Sequence, residues 1–506
     1  MSALHNDPHP PPPAIAPASP APALPPASPR VAAAACPIAD DARAAPPLPG
    51  VRGVAGPNAL LSGSLARQVS SLALPMFGEQ LGTFMVGMVD TYLAGRLSKE
   101  ATSAVGTATY VGWLVNMGFI LVCSGVAALV SRSFGAGDRR TANRVFNQGV
   151  LMMFAIGSAI SGLVWLLAPA FAAYLTQTPV ARAGFIAFLR IDAFGYLAFA
   201  VLAVVNTALR ASGDTRTPMA IMLLVNIVNA AVSATLVFGW LVPSLGVTGI
   251  AIGSVSARWV GGITAFVLGC AGLRGLRLRP RYPRVDWPTM RRMLRIGLPG
   301  AADNGLGNLA QFLFLGIVAR TATGAAATVN FAAHVIAMRL EAISYLPAFA
   351  WGTAAATLVG QHLGAGQPDK AGRAAHAAAI QVALLTGLVG LAFFVFPEPI
   401  YALLSKDPEV RRVGAAAFRW LGFLQPVMCV AIVYIVSLRG AGDTRYTMVV
   451  AAIAALGLRV PVAYLGGIVL GGGLLGAWSG MAADHVARLA LGLTRYLQGG
   501  WKRIKV

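Results

Sequence analysis

Twelve apolar runs, each long enough to cross roughly 30 Å of hydrocarbon, constrain this chain more than any other feature. They lie near residues 69–94, 105–130, 145–171, 184–209, 218–240 and 245–272, and then 296–319, 331–358, 374–398, 412–438, 446–467 and 473–494. Inside a bilayer every backbone N–H and C=O must be satisfied by the segment that carries it, so runs of this length are predicted to be helices. The expected fold class is an all-α polytopic membrane protein with twelve transmembrane helices. Composition agrees: 57% of the 506 residues are apolar and 11% are charged, against roughly a quarter charged in a soluble domain.

A formal charge of +21 would suggest nucleic acid as the partner of a soluble domain, but here the positive residues lie between the apolar runs. SRSFGAGDRRTANR, LRASGDTRTP, LRGLRLRPRYPRVDWPTMRRMLR, GQHLGAGQPDKAGR and LRGAGDTRY all follow even-numbered runs, and the other connections hold few Lys or Arg. By the positive-inside rule these loops and both termini are expected in the cytoplasm, which places the chain in the cell (inner) membrane as a multi-pass protein. Cys123, Cys270 and Cys429 fall inside apolar runs and Cys36 in the N-terminal tail, a pattern that offers no disulfide or zinc framework. No cofactor is expected. Residues 1–64 are rich in Ala and Pro and hold roughly half of the chain's 32 prolines, so they are read as a disordered cytoplasmic tail. This tail lacks the pattern of a secretory leader, and the first apolar run is expected to act as the insertion signal.

The loops also reveal an internal duplication. NTALRASGDTRTPM (206–219) matches IVSLRGAGDTRYTM (435–448), and SFGAGDRRTANR (133–144) matches HLGAGQPDKAGR (362–373). LALP ending at Pro75 and GVTGIAIGS from Gly246 likewise match IGLP ending at Pro299 and GLLGAWSGM from Gly473. Six runs per half is an even number, so the two lobes share one orientation, a parallel internal repeat of the kind found in transporters that handle substrate where the lobes meet. The expected divisions are an N-terminal six-helix lobe at 65–272, a basic cytoplasmic linker at 273–295, a C-terminal six-helix lobe at 296–497 and a basic tail at 498–506.

The VDT of the first run, the LRxxGDTR loop present twice, and AAHVIAMRLEAISYLPAFAWGTAAATLVGQHLGAG (332–366) together resemble the multidrug and toxic compound extrusion (MATE) transporters over about residues 65–495. The resemblance implies secondary active efflux of small organic, often cationic, compounds in exchange for protons or sodium ions, by a protein expected to be a monomer. It also implies that Asp90, which stands as a lone carboxylate at the end of the first apolar run, serves in cation coupling. Position alone leaves open that Asp90 is merely solvated near the outer headgroups. In LLVNIVNAAVSATLVFG the resemblance places Asn226 at the first position of an Asn-then-acid pair and Ala230 at the second, with Asn229 as the nearest amide and Ser254 at a hydroxyl position of the sixth run. Sodium wants several oxygen ligands, so the missing carboxylate at Ala230 favours a proton. For each amide an interhelical hydrogen bond is the plainer reading.

The second lobe carries Asp303, Arg459, Asp484, His485 and Arg488 within its runs. His334, Met338 and Glu341 share one face of the eighth helix at i, i+4 and i+7, while Arg339 points about 160° away from Glu341 on an ideal helix and needs another partner. Asp303, His334, Glu341, Arg459 and Asp484 are therefore candidates for substrate binding or second-lobe coupling. A structural bridge, Glu341 with Arg459 or Asp484 with Arg488, is the competing reading. The acids that some relatives carry in the seventh and tenth helices fall near Gly307 and Met428 here, so that site is expected to be missing. Pro75, Pro299, Pro347 and Pro461 lie inside runs and permit bends. No ATP-binding motif is present, and the GAGD and GAGQ loops lack the lysine and strand of a phosphate cradle. Two alternatives stand beside efflux: flipping of lipid-linked precursors, as in related transporters, and an intramembrane enzyme built on His334, Glu341, Asp484 and His485. The enzyme is disfavoured because HExxH and GxSxG spacings are missing.

Overall fold

The computed structural model describes residues 63–175, 179–240, 243–279 and 285–504. The expected N-terminal tail lies outside the described residues except for its last two positions, and so does the middle of the basic linker. Twelve long helices account for most of the described chain. They are α1 (Leu65–Leu97), α2 (Lys99–Gly135), α3 (Arg139–Leu175), α4 (Pro179–Ala211), α5 (Arg216–Phe238), α6 (Gly246–Ala271), α7 (Trp287–Val318), α8 (Gly324–Gly364), α9 (Pro368–Val395), α10 (Pro408–Gly440), α11 (Thr444–Val469) and α12 (Gly473–Gln498). Most run past the apolar windows by a turn or more, because the helix continues to satisfy its own backbone beyond the hydrocarbon layer.

Ten of these helices are long and apolar enough to cross a membrane; α7 and α12 fall short, with Asp303, Asn304, Asn308 and Gln311, and Asp484, His485 and Arg488, inside their apolar stretches. Large apolar side chains cover the outside: Leu166, Leu384 and Leu388 are 66%, 69% and 70% exposed. Such a surface suits lipid and would aggregate in water. The protein is an all-α, multi-pass membrane protein.

Helices α1–α6 pack on one another around a first core, and α7–α12 pack around two more. Each lobe begins inside the other's core. Val69, Leu72, Ala73 and Met76 of α1 are buried with Ala354, Leu358, Ala375 and Tyr434 of the second half, while Met290, Met293 and Ile296 of α7 are buried with Val126, Phe146 and Val150 of the first. The C-terminal ends of α2 and α8 cross where a Cβ on Gly135 would collide with the Gln361 carbonyl, and one on Gly364 with the Arg132 carbonyl. Only glycine allows so close a backbone approach, a common device for packing helices in lipid.

The same end of the molecule carries the basic loops. Asn143 and Asn147 of α3 each grip the segment 275–279 through paired bonds, with Arg277 N donating to Asn143 Oδ1 at 2.6 Å and Arg279 N to Asn147 Oδ1 at 2.8 Å. The chain's end also folds back here, for Trp501 is fully buried and stacks on Tyr496, and Arg132 donates to the Ile504 carbonyl at 2.7 Å. Pro75, Pro299 and Pro347 lie inside their helices, and Pro461 sits between two wide-turn segments of α11, Ala452–Arg459 and Leu465–Val469. Such turns accommodate a residue with no N–H to donate.

Candidate functional site

Asp90 sits half-buried two turns before the end of α1. Its Oδ2 accepts from Ser254 Oγ of α6 at 2.6 Å and its Oδ1 from Asn229 Nδ2 of α5 at 3.2 Å. The same amide nitrogen lies 3.0 Å from Ser254 Oγ and 3.5 Å from Ser233 Oγ. Asn229 and Ser233 have no exposed surface. Gly253 brings the helices this close, since a Cβ there would strike the Ser233 hydroxyl. Arg258, one turn beyond Ser254, turns instead to Asp192 of α4, donating from Nη1 at 2.6 Å, with its guanidinium over the Tyr196 and Phe199 rings.

Of the two amides expected on α5, Asn229 is the one that reaches Asp90. Asn226 donates at 2.8 Å to the Met222 carbonyl of its own helix and makes no hydrogen bond to Asp90. Asn229 and Ser233, four apart on one helical face, are the residues of α5 that meet at the carboxylate. Asp90 is also not the lone carboxylate of its apolar run. Glu79 lies three turns earlier on α1, where its Oε1 accepts from Arg210 Nη1 at 2.7 Å and from Asn206 Nδ2 at 3.3 Å. Glu79 stood in plain view in the run; Arg210, Asp192 and Arg258 could be flagged as charges within apolar helices, but their pairing across helices leaves no local pattern.

The second-lobe candidates separate into groups. Asp303 of α7 accepts from Arg439 Nε of α10 at 3.0 Å. Asp484 of α12 is held by two arginines: Arg488 Nε, one turn away at 2.8 Å, and Arg459 Nη2 of α11. Arg459 also donates from Nη1 to Gln311 Oε1 at 2.9 Å. The Asp484–Arg488 bridge therefore forms, whereas the Glu341–Arg459 bridge does not. Arg339 is exposed and, among the described residues, has no ion pair, so the partner expected for it is not found. His334 is buried against Phe314, and its Nδ1 accepts from Trp478 Nε1 at 3.3 Å. Glu341 is buried on the same face of α8, with no arginine bonded to it.

This arrangement holds Asp90 between two neutral donors, in a wall where the neighbouring acids are neutralised by arginine. It suits a small cation or a proton better than a metal cluster or a nucleophile. The MatE family's sequence profile matches residues 75–235 and again 305–465. The chain is 29% identical over 441 residues to a protein of Thermotoga maritima named probable multidrug resistance protein NorM, covering 87% of this chain and 94% of that one. It is 26% identical to multidrug resistance protein PmpM of Pseudomonas aeruginosa over 79% of this chain and 83% of the other. Its fold superposes with a TM-score of 0.82 on a MOP-superfamily transporter from Pyrococcus furiosus, at 18% identity over 90% of this chain and all of that one. An equal score is reached with a multidrug resistance MATE transporter in its outward-facing conformation, again at 18% identity and over 90% and 100% of the two chains. This chain belongs to the MATE family of transporters.

Proposed function

We propose that this chain exports small organic compounds, cations among them, in exchange for protons, with Asp90 as the coupling carboxylate and Asn229, Ser233 and Ser254 around it. The protein is a secondary active transporter of the MATE family rather than an enzyme or a lipid-precursor flippase. Multidrug resistance is what the names of its relatives state, and that substrate class is carried here as part of the proposal.

The observation that carries the reading is the pair of neutral donors on Asp90. As an ion, Asp90 accepts from both. When Oδ1 takes a proton from water it becomes a donor, and Asn229, whose Oδ1 is buried without a partner, provides the acceptor by turning its amide over. Each half-reaction makes or breaks a single O–H bond, with water on the other side. A sodium ion needs several oxygens at once, and this lobe offers one unpaired carboxylate, two serine hydroxyls and the Asn229 amide oxygen, with no second carboxylate where Ser233 stands. The proton is therefore favoured, on the evidence of Ser233 rather than of Ala230.

The finer architecture belongs to the same proposal. The twelve helices are read as twelve spans in two six-helix lobes, 65–272 and 296–497, related by a parallel repeat. Their basic loops and both termini face the cytoplasm, with the chain in the inner membrane. α7 and α12 are 32 and 26 residues long, and the charges buried in their apolar stretches, Asp303, Asp484 and Arg488, are paired inside the protein, which makes their burial tolerable. Reconstituted Asp90→Asn protein tests the coupling role: membrane insertion persists and gradient-driven export of a fluorescent organic cation is lost. Export at the wild-type rate would refute it.

A further inference from the structure

The basic segment that leaves α6 closes at once into a hairpin. Leu273 and Leu276 exchange both backbone hydrogen bonds at 2.9 Å, with Arg274 and Gly275 at the turn. Both turn residues are left-handed, at φ +49° and +85°. Such a turn favours glycine, asparagine or aspartate, yet Arg274 stands there, alone among the described non-glycine residues in having a positive φ. Beyond the turn the side chains alternate as on a strand: Leu276 and Leu278 are buried in the core that holds Phe146, while Arg277 and Arg279 are exposed. The paired bonds from Asn143 and Asn147 grip the outer edge, and Leu278 N donates to the Gly269 carbonyl at 2.8 Å.

The first residue of α3 joins these cations. Arg139 donates from Nη1 to the Arg274 carbonyl at 3.1 Å, and its guanidinium lies over the Phe134 ring. Among the described residues no carboxylate is within ion-pair distance of Arg139, Arg274, Arg277 or Arg279. Two acids of this region are committed elsewhere: Asp138 caps α3, and Asp286 caps α7 and lies 3.6 Å from Arg144. On α6, Ile263, Val267 and Ala271 form one exposed face at i, i+4 and i+8. That face ends two residues before the hairpin, so the hairpin stands at the rim of an apolar, lipid-suited surface.

We propose that this hairpin and the first turn of α3 form a binding site for the phosphate of an anionic phospholipid, in the leaflet that the basic loops face. Guanidinium groups meet phosphate oxygens with paired, charge-assisted donors, and a phosphate would relieve the repulsion among four cations that no acid offsets. The backbone is fixed in advance, so only side chains need ordering when the ligand arrives. Strain of the kind held at Arg274 persists where the surroundings enforce it and gathers at ligand clamps. Inorganic phosphate offers the same oxygens. A lipid adds acyl chains that can lie along Ile263 and Val267, and it is the occupant the surface fits. The site goes beyond the export reading and does not depend on Asp90 or on the coupling ion.

Native mass spectrometry tests this on the purified full chain in micelles holding equal amounts of phosphatidylglycerol and phosphatidylcholine. Wild-type protein should retain phosphatidylglycerol in preference. Arg274→Gly should lower that retention about tenfold, as for the loss of a charge-assisted hydrogen bond, while thermal stability holds or rises because glycine suits the left-handed turn. Arg139→Gln should lower it too, with the turn sequence unchanged. Arg320→Gln combined with Arg412→Gln removes two positive charges elsewhere and should leave retention as it was. Equal retention of the two lipids by wild-type protein, or retention unaltered in both Arg274→Gly and Arg139→Gln, overturns the site. An equal loss in the Arg320 and Arg412 double variant would show that net charge alone attracts the lipid, and overturns it as well. A thermal shift given by inorganic phosphate alone, lost in Arg274→Gly and without any preference for phosphatidylglycerol, would assign the cluster to free phosphate instead.

Discussion

In the first lobe Pro75 is followed four residues later by Glu79, which pairs with Arg210 of LRASGDTR; in the second, Pro299 is followed four residues later by Asp303, which pairs with Arg439 of LRGAGDTR. The same ion pair recurs at the matching sequence motifs of the two halves. Asp90 and Glu341 have no such counterparts. The 224 residues separating the prolines carry Asp90 onto Phe314, which is fully buried, and the 229 separating the loops carry Glu341 back onto Gly112. The shared carboxylates are neutralised, as are the unshared Asp192 and Asp484, and hold helices together, whereas Asp90 and Glu341 carry no arginine. A charge whose partner is fixed is poorly suited to exchanging a proton, and one without a fixed charged partner is well suited to it.

Substitutions can break this contrast at several strengths. Asp484→Asn should have the largest effect on the fold, because it strands Arg459 and Arg488 side by side; removing one member of a buried ion pair costs about 3–5 kcal/mol, and a marked fall in folded yield is expected. Arg439→Met strands Asp303 in the same way, and Arg210→Met strands Glu79. Both should lower thermal stability by similar amounts, and Asp303→Leu combined with Arg439→Met should recover most of the loss. Unlike results from the two lobes would break the correspondence between them.

Glu341→Gln and His334→Ala should separate chemistry from packing. The first should weaken transport with little loss of stability. The second removes a ring packed on Phe314 and an acceptor for Trp478, costing about 1–3 kcal/mol while leaving transport the less affected. If Glu341→Gln proves the milder in transport assays, the functional reading of Glu341 fails. A subtler change is Ser233→Asp, which adds a second carboxylate beside Asp90 and should raise sodium sensitivity; Ala230→Asp, outside the cluster, should not.

The smallest effect is expected at the loops. Asp138 caps α3 by accepting from Thr141 N at 2.9 Å, whereas Gln367 at the matching position makes no such cap for α9. Asp138→Gln should therefore cost about 1 kcal/mol. The Thr141 hydrogen bonds hold the Asp138 carboxyl below its ordinary value. Its share of stability is thus present above the unfolded value of about 3.9 and is lost as pH falls through the lowered one. A loss in the variant that persists undiminished in acid would show that the cap is not the cause.

The long helices and their order were legible because lipid imposes length and hydrophobicity on each segment independently of the others. Asp90 and Ser254 were legible as polar residues in apolar runs, and Asn229 as an amide near the expected position. The α5 register was not, because Asn226 and Asn229 differ by less than one turn and only the contact of α5 with α6 at Gly253 chooses between them. Pairings such as Arg258 with Asp192 join helices whose proximity is a property of the assembled bundle, so no window of sequence contains both partners. Glu79 is the opposite case, since its presence in the first run needed no structure at all.

Transport by wild-type protein in sodium-free liposomes tests the central claim most directly, with the cytoplasmic side of the carrier made more alkaline than the other. A fluorescent organic cation should leave that side against its gradient, and a sodium gradient added on top should change the rate little. Export that requires sodium and ignores the pH gradient would contradict the account.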